Sequence, residues 1–168
     1  MPEPEMTESA VAQHLPVLLG RPLKVVGRRD PVSVPPGTSL EACLRVIRSG
    51  GSGDSVFVTD PENRLVGVLA ERDIFGQLVG GQVDLAAPVE SLLTTEPRTL
   101  DLDQPVRDAV DLMQSGRYRN VPILDQERHL VGVIRPQDIL TFLAESFPQE
   151  LLNLPPVSHQ QLEEPEGA

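Results

Sequence analysis

The sequence predicts an α+β, sandwich-like fold: two βαββα repeats packed on each other with pseudo-twofold symmetry. Three observations support this. Residues 65–74 read LVGVLAERDI, and residues 130–139 read LVGVIRPQDI. In register, Val56–Ile74 and Val121–Ile139 share nine identities in nineteen positions, and Pro31–Gly50 lies over Pro97–Gly116 with Pro, Ser and Gly kept. Finally, a 168-residue chain with 39% hydrophobic content can bury one sizeable core or two small ones sharing an interface. A unit of roughly 50 residues cannot cover both faces of its own sheet, so the two copies are expected to pack together.

Each copy parses alike. PVSV and PRTL are short strand candidates. Thr38 with Glu41, and Asp103 with Pro105 in the first turn, then read as helix starts. Leu40, Cys43, Leu44 and Ile47, like Val106, Ala109, Val110 and Met113, fall at i, i+3, i+4, i+7 and make one apolar helix face. Cys43 lies on that face and reads as a core residue. Gly50 and Gly116 close the helices. Two apolar runs follow in each copy, VFV then LVGVLA and VPIL then LVGVI, separated by turn-like DPENR and DQERH. A last helix starts near Glu71 in one copy and near Pro136 in the other. The expected division is an N-terminal extension over 1–22, a first repeat over 23–80, a linker over 81–91, a second repeat over 92–146 and a C-terminal extension over 147–168.

Composition narrows the function. The net charge of −11 opposes phosphate backbones, so nucleic acid is not an expected partner. Six glutamates in the two proline-containing ends supply most of that excess, and both ends read as solvated tails. The interior keeps the basic pairs Arg28-Arg29 and Arg117/Arg119, so a small anionic ligand is admissible. The one cysteine excludes an internal disulfide, and the three histidines are too scattered for a metal cluster. No apolar run reaches the ~18 residues of a membrane span, and the acidic N-terminus is unlike a leader, which together point to a soluble cytoplasmic protein. Catalysis is not expected: SGGSG and VGG are followed by no GK[ST], and no Ser/His/Asp set stands out.

LVGVLAERDI, LVGVIRPQDI, RYRNVPILD and SLLTTEPRTLDLDQPV together resemble a tandem pair of CBS (cystathionine-β-synthase-like) domains, or Bateman module, from about Leu23 to Ser146. The resemblance implies a regulatory, energy-sensing module that requires no cofactor. Such pairs take an adenosine ligand in the clefts between copies and tend to dimerise into flat discs. AMP, ADP or ATP are the expected ligands, with S-adenosylmethionine ranked below them. In the family's pattern the second apolar strand runs into Ser or Thr, two residues and Asp. The Asp holds the ribose hydroxyls and the hydroxyl lies near phosphate. This puts Asp138 and Asp73 on ribose and places Asn120, Val121 and Pro122, with Ser55 and Val56 in the first copy, beside the base. Thr99 belongs to the same set. An aspartate in the first turn of a helix, where exposed N–H groups favour an anion, suits a diol on general grounds too.

Departures from the pattern are informative. The Ser/Thr position is Ala70 in one copy and Arg135 in the other. Two readings of each aspartate stay open: a ligand group, or a helix-start residue that contributes about 0.3–1 kcal/mol. Arg135 either stays solvated or pairs with phosphate together with Arg117 or Arg119. The preferred site is the Asp138 cleft, since Phe57 and the glycine-rich approach SGGSGDS suggest a bulkier, looser rim around Asp73. The resulting expectation is a stand-alone homodimer signalling to an unidentified effector protein. The alternative is a dimerisation module that has lost its ligand. Phe142, Leu143, Phe147, Leu151, Leu152 and Leu154, and near the other end AVAQHLPVLLG, are read as packing on their own domain or on a partner.

Overall fold

The computed structural model describes residues 8–50, 53–116 and 118–146. The apolar positions 147, 151, 152 and 154, position 117, the acidic C-terminal tail and the N-terminal residues 1–7 lie outside them, whereas Glu8, read as part of a tail, begins a helix. Helix α1 (Glu8–Leu19) leads into a 3-10 turn at Leu23–Val25. The first copy then runs β1 (Ser33–Val34), α2 (Leu40–Ser49), β2 (Ser55–Thr59), β3 (Leu65–Ala70) and α3 (Glu71–Val79). A second 3-10 turn (Val89–Ser91) and β4 (Thr94–Thr95) precede α4 (Val106–Gln114), β5 (Val121–Leu124), β6 (Leu130–Ile134) and α5 (Pro136–Ser146). This is the expected α+β pair of repeats.

The helices start close to where the sequence places them, with local differences. Ser39, not Thr38, caps α2, its Oγ accepting the Ala42 N–H at 3.2 Å. The Thr38 hydroxyl donates instead to the Pro35 carbonyl at 2.7 Å. Pro105 stands at the N-cap of α4 rather than within its first turn. Asp101, not Asp103, orders that approach, its Oδ1 accepting the N–H groups of Asp103 and Gln104 at 2.8 and 3.0 Å.

The first sheet has the order β1-β2-β3-β4, with β1 parallel to β2 and the other pairs antiparallel. In the second copy β5 and β6 form the antiparallel pair, flanked by single bridges: Leu100 parallel to Ile123, and Arg29 antiparallel to Val133. The outer edge of each sheet therefore comes from the segment leading into the other copy. Thr94 pairs with Val68 as Arg29 pairs with Val133, both shifted by 65 positions. The same exchange recurs at the helix starts. Leu23 donates to Gln104 and Val106 to Arg21, each at 2.8 Å, as Val89 donates to Thr38 at 2.7 Å and Leu40 to Ala87 at 2.9 Å. Accordingly Leu23 and Val26 are buried with the second copy's Val106, Ala109 and Ile139, and Val89 with the first copy's Leu40, Cys43 and Ile74.

The glycine of LVGV has its reason in these edges. A Cβ on Gly67 would lie 2.6 Å from the Thr94 carbonyl oxygen and 2.7 Å from Leu93 Cγ; on Gly132 it would lie 2.6 Å from Arg28 Cδ. The repeated aspartate of the hairpin turns is equally local. Asp60 Oδ1 accepts the N–H groups of Glu62 and Arg64, and Asp125 Oδ1 those of Glu127 and His129.

The copies meet through a third core of Phe57, Leu124, Leu130 and Val133, with Leu65 and Val68 packed against it. Burial of side chains of this size contributes about 1.5–3 kcal/mol each. Phe57 is 2% exposed here, so it does not crowd the rim of a ligand cleft as the sequence suggested. The turns also touch: Leu130 donates to the Asn63 carbonyl at 3.0 Å, and Asn63 Nδ2 returns a bond to the Leu130 carbonyl at 3.1 Å. Leu18 and Leu19 of α1 and Leu143 of α5 pack against the second copy's core.

Candidate functional site

The strand-to-helix corners place Asp73 and Asp138 in the first turns of α3 and α5. Each carboxylate reaches back to the backbone that starts its helix: Asp73 Oδ2 accepts the Ala70 N–H at 3.2 Å, and Asp138 Oδ2 the Arg135 N–H at 2.8 Å. Neither Ala70 nor Arg135 has a side chain that can accept a bond in return, so this is half of a capping box in both copies. Losing the hydroxyl has not released the aspartates from capping. Each still has a second oxygen, and there the copies differ.

A cavity of about 880 Å³ opens at Asp73. The first copy lines it with Asp54, Ser55, Val68 and the corner Ala70–Asp73, plus Phe75 one turn into α3. The approach to the second copy adds Thr94, Gly116, Tyr118, Arg119 and Asn120. Its apolar surface is Val68, Phe75 and Tyr118; its cationic groups are Arg72 and Arg119; its carboxylates are Asp54, Glu71 and Asp73. Asp73 is half-buried, and its Oδ1 meets no partner among the described residues. Arg72 donates to the Gly116 carbonyl at 3.2 Å, tying the two copies together at the cavity's edge.

Asn120 fixes the inner wall. Its Nδ2 donates to Asp54 Oδ1 at 2.9 Å and to Ser55 Oγ at 2.7 Å, which sets the orientation of the amide because the reversed one would turn Oδ1 toward a carboxylate. Asn120 is 6% exposed, and its Oδ1 has no partner among the described residues. Ser55 and Asn120 are equivalent positions of the two copies, so their contact lies at the pseudo-twofold relation itself.

Of the residues singled out in the sequence, Asp73, Ser55, Arg119 and Asn120 come together in this cavity. Ala70 lines it too, whereas Val56, Val121, Pro122, Thr99, Arg135 and Asp138 do not. Val56 and Val121 are wholly buried in the two copies' cores, and buried Pro122 meets the edge through its carbonyl, which accepts the Leu100 N–H. Thr99 stands just before that edge residue. Arg135 is half-buried on the Asp138 side, with Cζ 3.9 Å from where a Cβ on Gly53 would sit. The preference for the Asp138 cleft meets a physical obstacle, since Arg29 Nε lies 3.1 Å from Asp138 Oδ1. Asp54, Arg72, Phe75, Thr94 and Tyr118 were not anticipated. The one signal that could have found Thr94 is the exchange of edges, which the repeat register alone does not show.

Two titratable groups elsewhere are perturbed. Burial pushes the Cys43 thiol up, and the Glu90 carboxylate adds to the effect. At Asp125 desolvation works against the charged form, but bonds from His129 and Glu127 outweigh it and hold the carboxyl below its usual range.

The CBS domain family model matches residues 23–80 and 89–145. Among curated proteins, the chain is 29% identical over 112 residues to an uncharacterized 17.7 kDa protein of Acidianus ambivalens, covering 67% of this chain and 66% of that one. It is 33% identical over 117 residues to an inosine-5'-monophosphate dehydrogenase of Halobacterium salinarum, covering 69% of this chain but 22% of the enzyme. The chain thus spans just under two thirds of the first relative and about a fifth of the second. Among solved structures, the CBS domain pair of protein MJ0100, in complex with 5'-methylthioadenosine and S-adenosyl-L-methionine, aligns with a TM-score of 0.63 at 20% identity over 75% of this chain and 98% of that one. A CBS domain protein of Pyrobaculum aerophilum complexed with AMP aligns with a TM-score of 0.63 at 23% identity over 78% and 95%. Both share the fold. With the family model matching both halves of the repeat, the chain belongs to the CBS domain family and carries a pair of CBS domains.

Proposed function

We propose that this CBS pair is a regulatory module that binds an adenosine nucleotide, AMP, ADP or ATP, in the cavity at Asp73 and passes its occupancy to an effector protein. The observation that carries the reading is the Asp73 carboxylate. One oxygen is spent on the helix start and the other, in a cavity of about 880 Å³ built by both copies, is without a partner among the described residues. A carboxylate so placed accepts both hydroxyls of a ribose diol, and the volume falls within the range of small-molecule sites. Phe75 and Tyr118 offer faces for a base, and Arg72 and Arg119 offer charge for phosphate. The AMP complexes of similar folds support the class of ligand. Because Asp54 and Glu71 line the same cavity, S-adenosylmethionine is the competitor to compare. A contact between the two copies is also a means of signalling, since a ligand touching both biases their relative placement.

The test is a melting panel with AMP, ADP, ATP and S-adenosylmethionine. A ligand at a hundred times its Kd stabilises the folded state by about 2.7 kcal/mol, or roughly 5–10 °C for a chain of this size. Asp73→Asn should weaken binding about tenfold to a hundredfold and so cut the stabilisation at the same ligand concentration to about 0.4–1.4 kcal/mol. No shift with any of the four would reject the reading. It would favour instead a dimerisation module without a ligand, to which the exposed Phe75, Leu78, Val79 and Leu140 on α3 and α5 lend support.

A further inference from the structure

We propose that Arg29 is a built-in occupant of the second cleft and so determines how many adenosine ligands the pair takes. The inference rests on the Asp73 cavity being the ligand site. Positions 29 and 94 are equivalents on the exchanged edges, Arg29 beside Val133 of β6 and Thr94 beside Val68 of β3. The Arg29 backbone is fixed through both of its polar groups, its N–H donating to the Val133 carbonyl and its carbonyl accepting the Val133 N–H, each at 3.0 Å. Its side chain therefore leaves from the same place as that of Thr94, and the two differ in reach and charge. Thr94 is short, lines the cavity and leaves Asp73 Oδ1 open. Arg29 spans the gap, and its Nε meets Asp138 Oδ1 at 3.1 Å.

Both oxygens of Asp138 are then engaged, Oδ1 by this guanidinium and Oδ2 by the Arg135 N–H, with the carboxylate side chain only 11% exposed. A ribose diol entering here competes with a charge-assisted bond for the oxygen that Asp73 leaves open in the first cleft. Next to Arg29, the Arg28 stem lies across Gly132 where Leu93 lies across Gly67. The edge of the second cleft thus carries two arginines in place of Leu-Thr. This substitution, more than Ala70 against Arg135, makes the clefts unlike.

Arg29→Thr restores at the second cleft the residue that the first cleft has, and equilibrium dialysis against AMP, ATP and S-adenosylmethionine counts the sites. The parent chain should bind about one equivalent of its ligand and Arg29→Thr about two, by mass action at saturation. At a free ligand concentration near the parent's Kd, where the parent's site is about half filled, Asp73→Asn should fall to about a tenth filled or less, and Asp73→Asn with Arg29→Thr should regain uptake at the second site. The first site's Kd in Arg29→Thr should stay within about twofold of the parent, which together with an unchanged melting profile without ligand excludes misfolding. Two equivalents in the parent, or one that Arg29→Thr does not raise, would overturn the role of Arg29. No binding by the parent would overturn the Asp73 site instead. In that case a single equivalent taken up by Arg29→Thr still supports the plug, and none rejects it.

Discussion

Gly67 and Gly132 are the same letter of the same motif, yet they should not tolerate change equally. A methyl on Gly67 meets the backbone oxygen of Thr94 at 2.6 Å, which can move only with its strand. A methyl on Gly132 meets the Cδ of Arg28, a flexible stem that can swing aside. Gly67→Ala is therefore expected to destabilise by about 1–3 kcal/mol and Gly132→Ala by clearly less, as measured by urea unfolding of the two variants. Sequence repetition announces that both glycines are required. What they make room for is invisible there, because the crowding atoms come from segments outside the repeat alignment. The aspartates show the same limit. Their place in a helix start is legible from LVGVxxxxDI, whereas Arg29 taking up one of them depends on a pairing across 109 positions.

At the scale of elements, long apolar patterns proved readable and short edges did not. On the i, i+3, i+4, i+7 face of α2, Leu40, Cys43 and Ile47 are buried, Cys43 wholly so, and Leu44 partly, whereas α4 buries Leu112 with Val106 and Ala109 and leaves Val110 and Met113 half-buried. Burial raises that thiol's pKa, so less thiolate is present at any given pH and the sulfur is also out of reach. Cys43 should resist a disulfide reagent at pH 8 in the folded protein and react fully once denatured, with labelling followed by absorbance; rapid modification of the folded chain would contradict this burial. Strands β2, β3, β5 and β6 likewise follow the apolar runs. By contrast β4 is Thr94–Thr95, two polar residues with no period to detect, and its counterpart is a single bridge at Arg29. The cap shifted from Thr38 to Ser39 for a comparable reason. Adjacent hydroxyl residues are equivalent in pattern, and only the turn at Pro35 decides which one the helix uses.

For the molecule as a whole, α3 and α5 each keep large apolar side chains exposed. Phe75 and Leu140 are equivalent positions, 56% and 59% exposed, and Val79 is 88% exposed. A second copy of the chain is the partner expected from the family resemblance, and these side chains are where it would gain most from burial. Sedimentation should give a dimer that Val79→Lys with Leu140→Lys converts to monomer, while both variants keep the parent's circular dichroism. A dimer that survives both substitutions would place the contact elsewhere. Among the described residues no helix is long and apolar enough to cross a membrane.

The exchanged edges also bear on ancestry. A gene encoding one repeat with its own lead-in would leave a bare sheet edge and an unpaired N–H group at a helix start, with the matching segment pointing away from both. Such a product could be completed only by a sister chain, each lending its leading segment to the other. Duplication and fusion would then have turned an obligate partnership between molecules into one within a single molecule. After such a fusion the two lent segments could diverge, and threonine in one and arginine in the other is the kind of difference that strict symmetry between identical chains forbids.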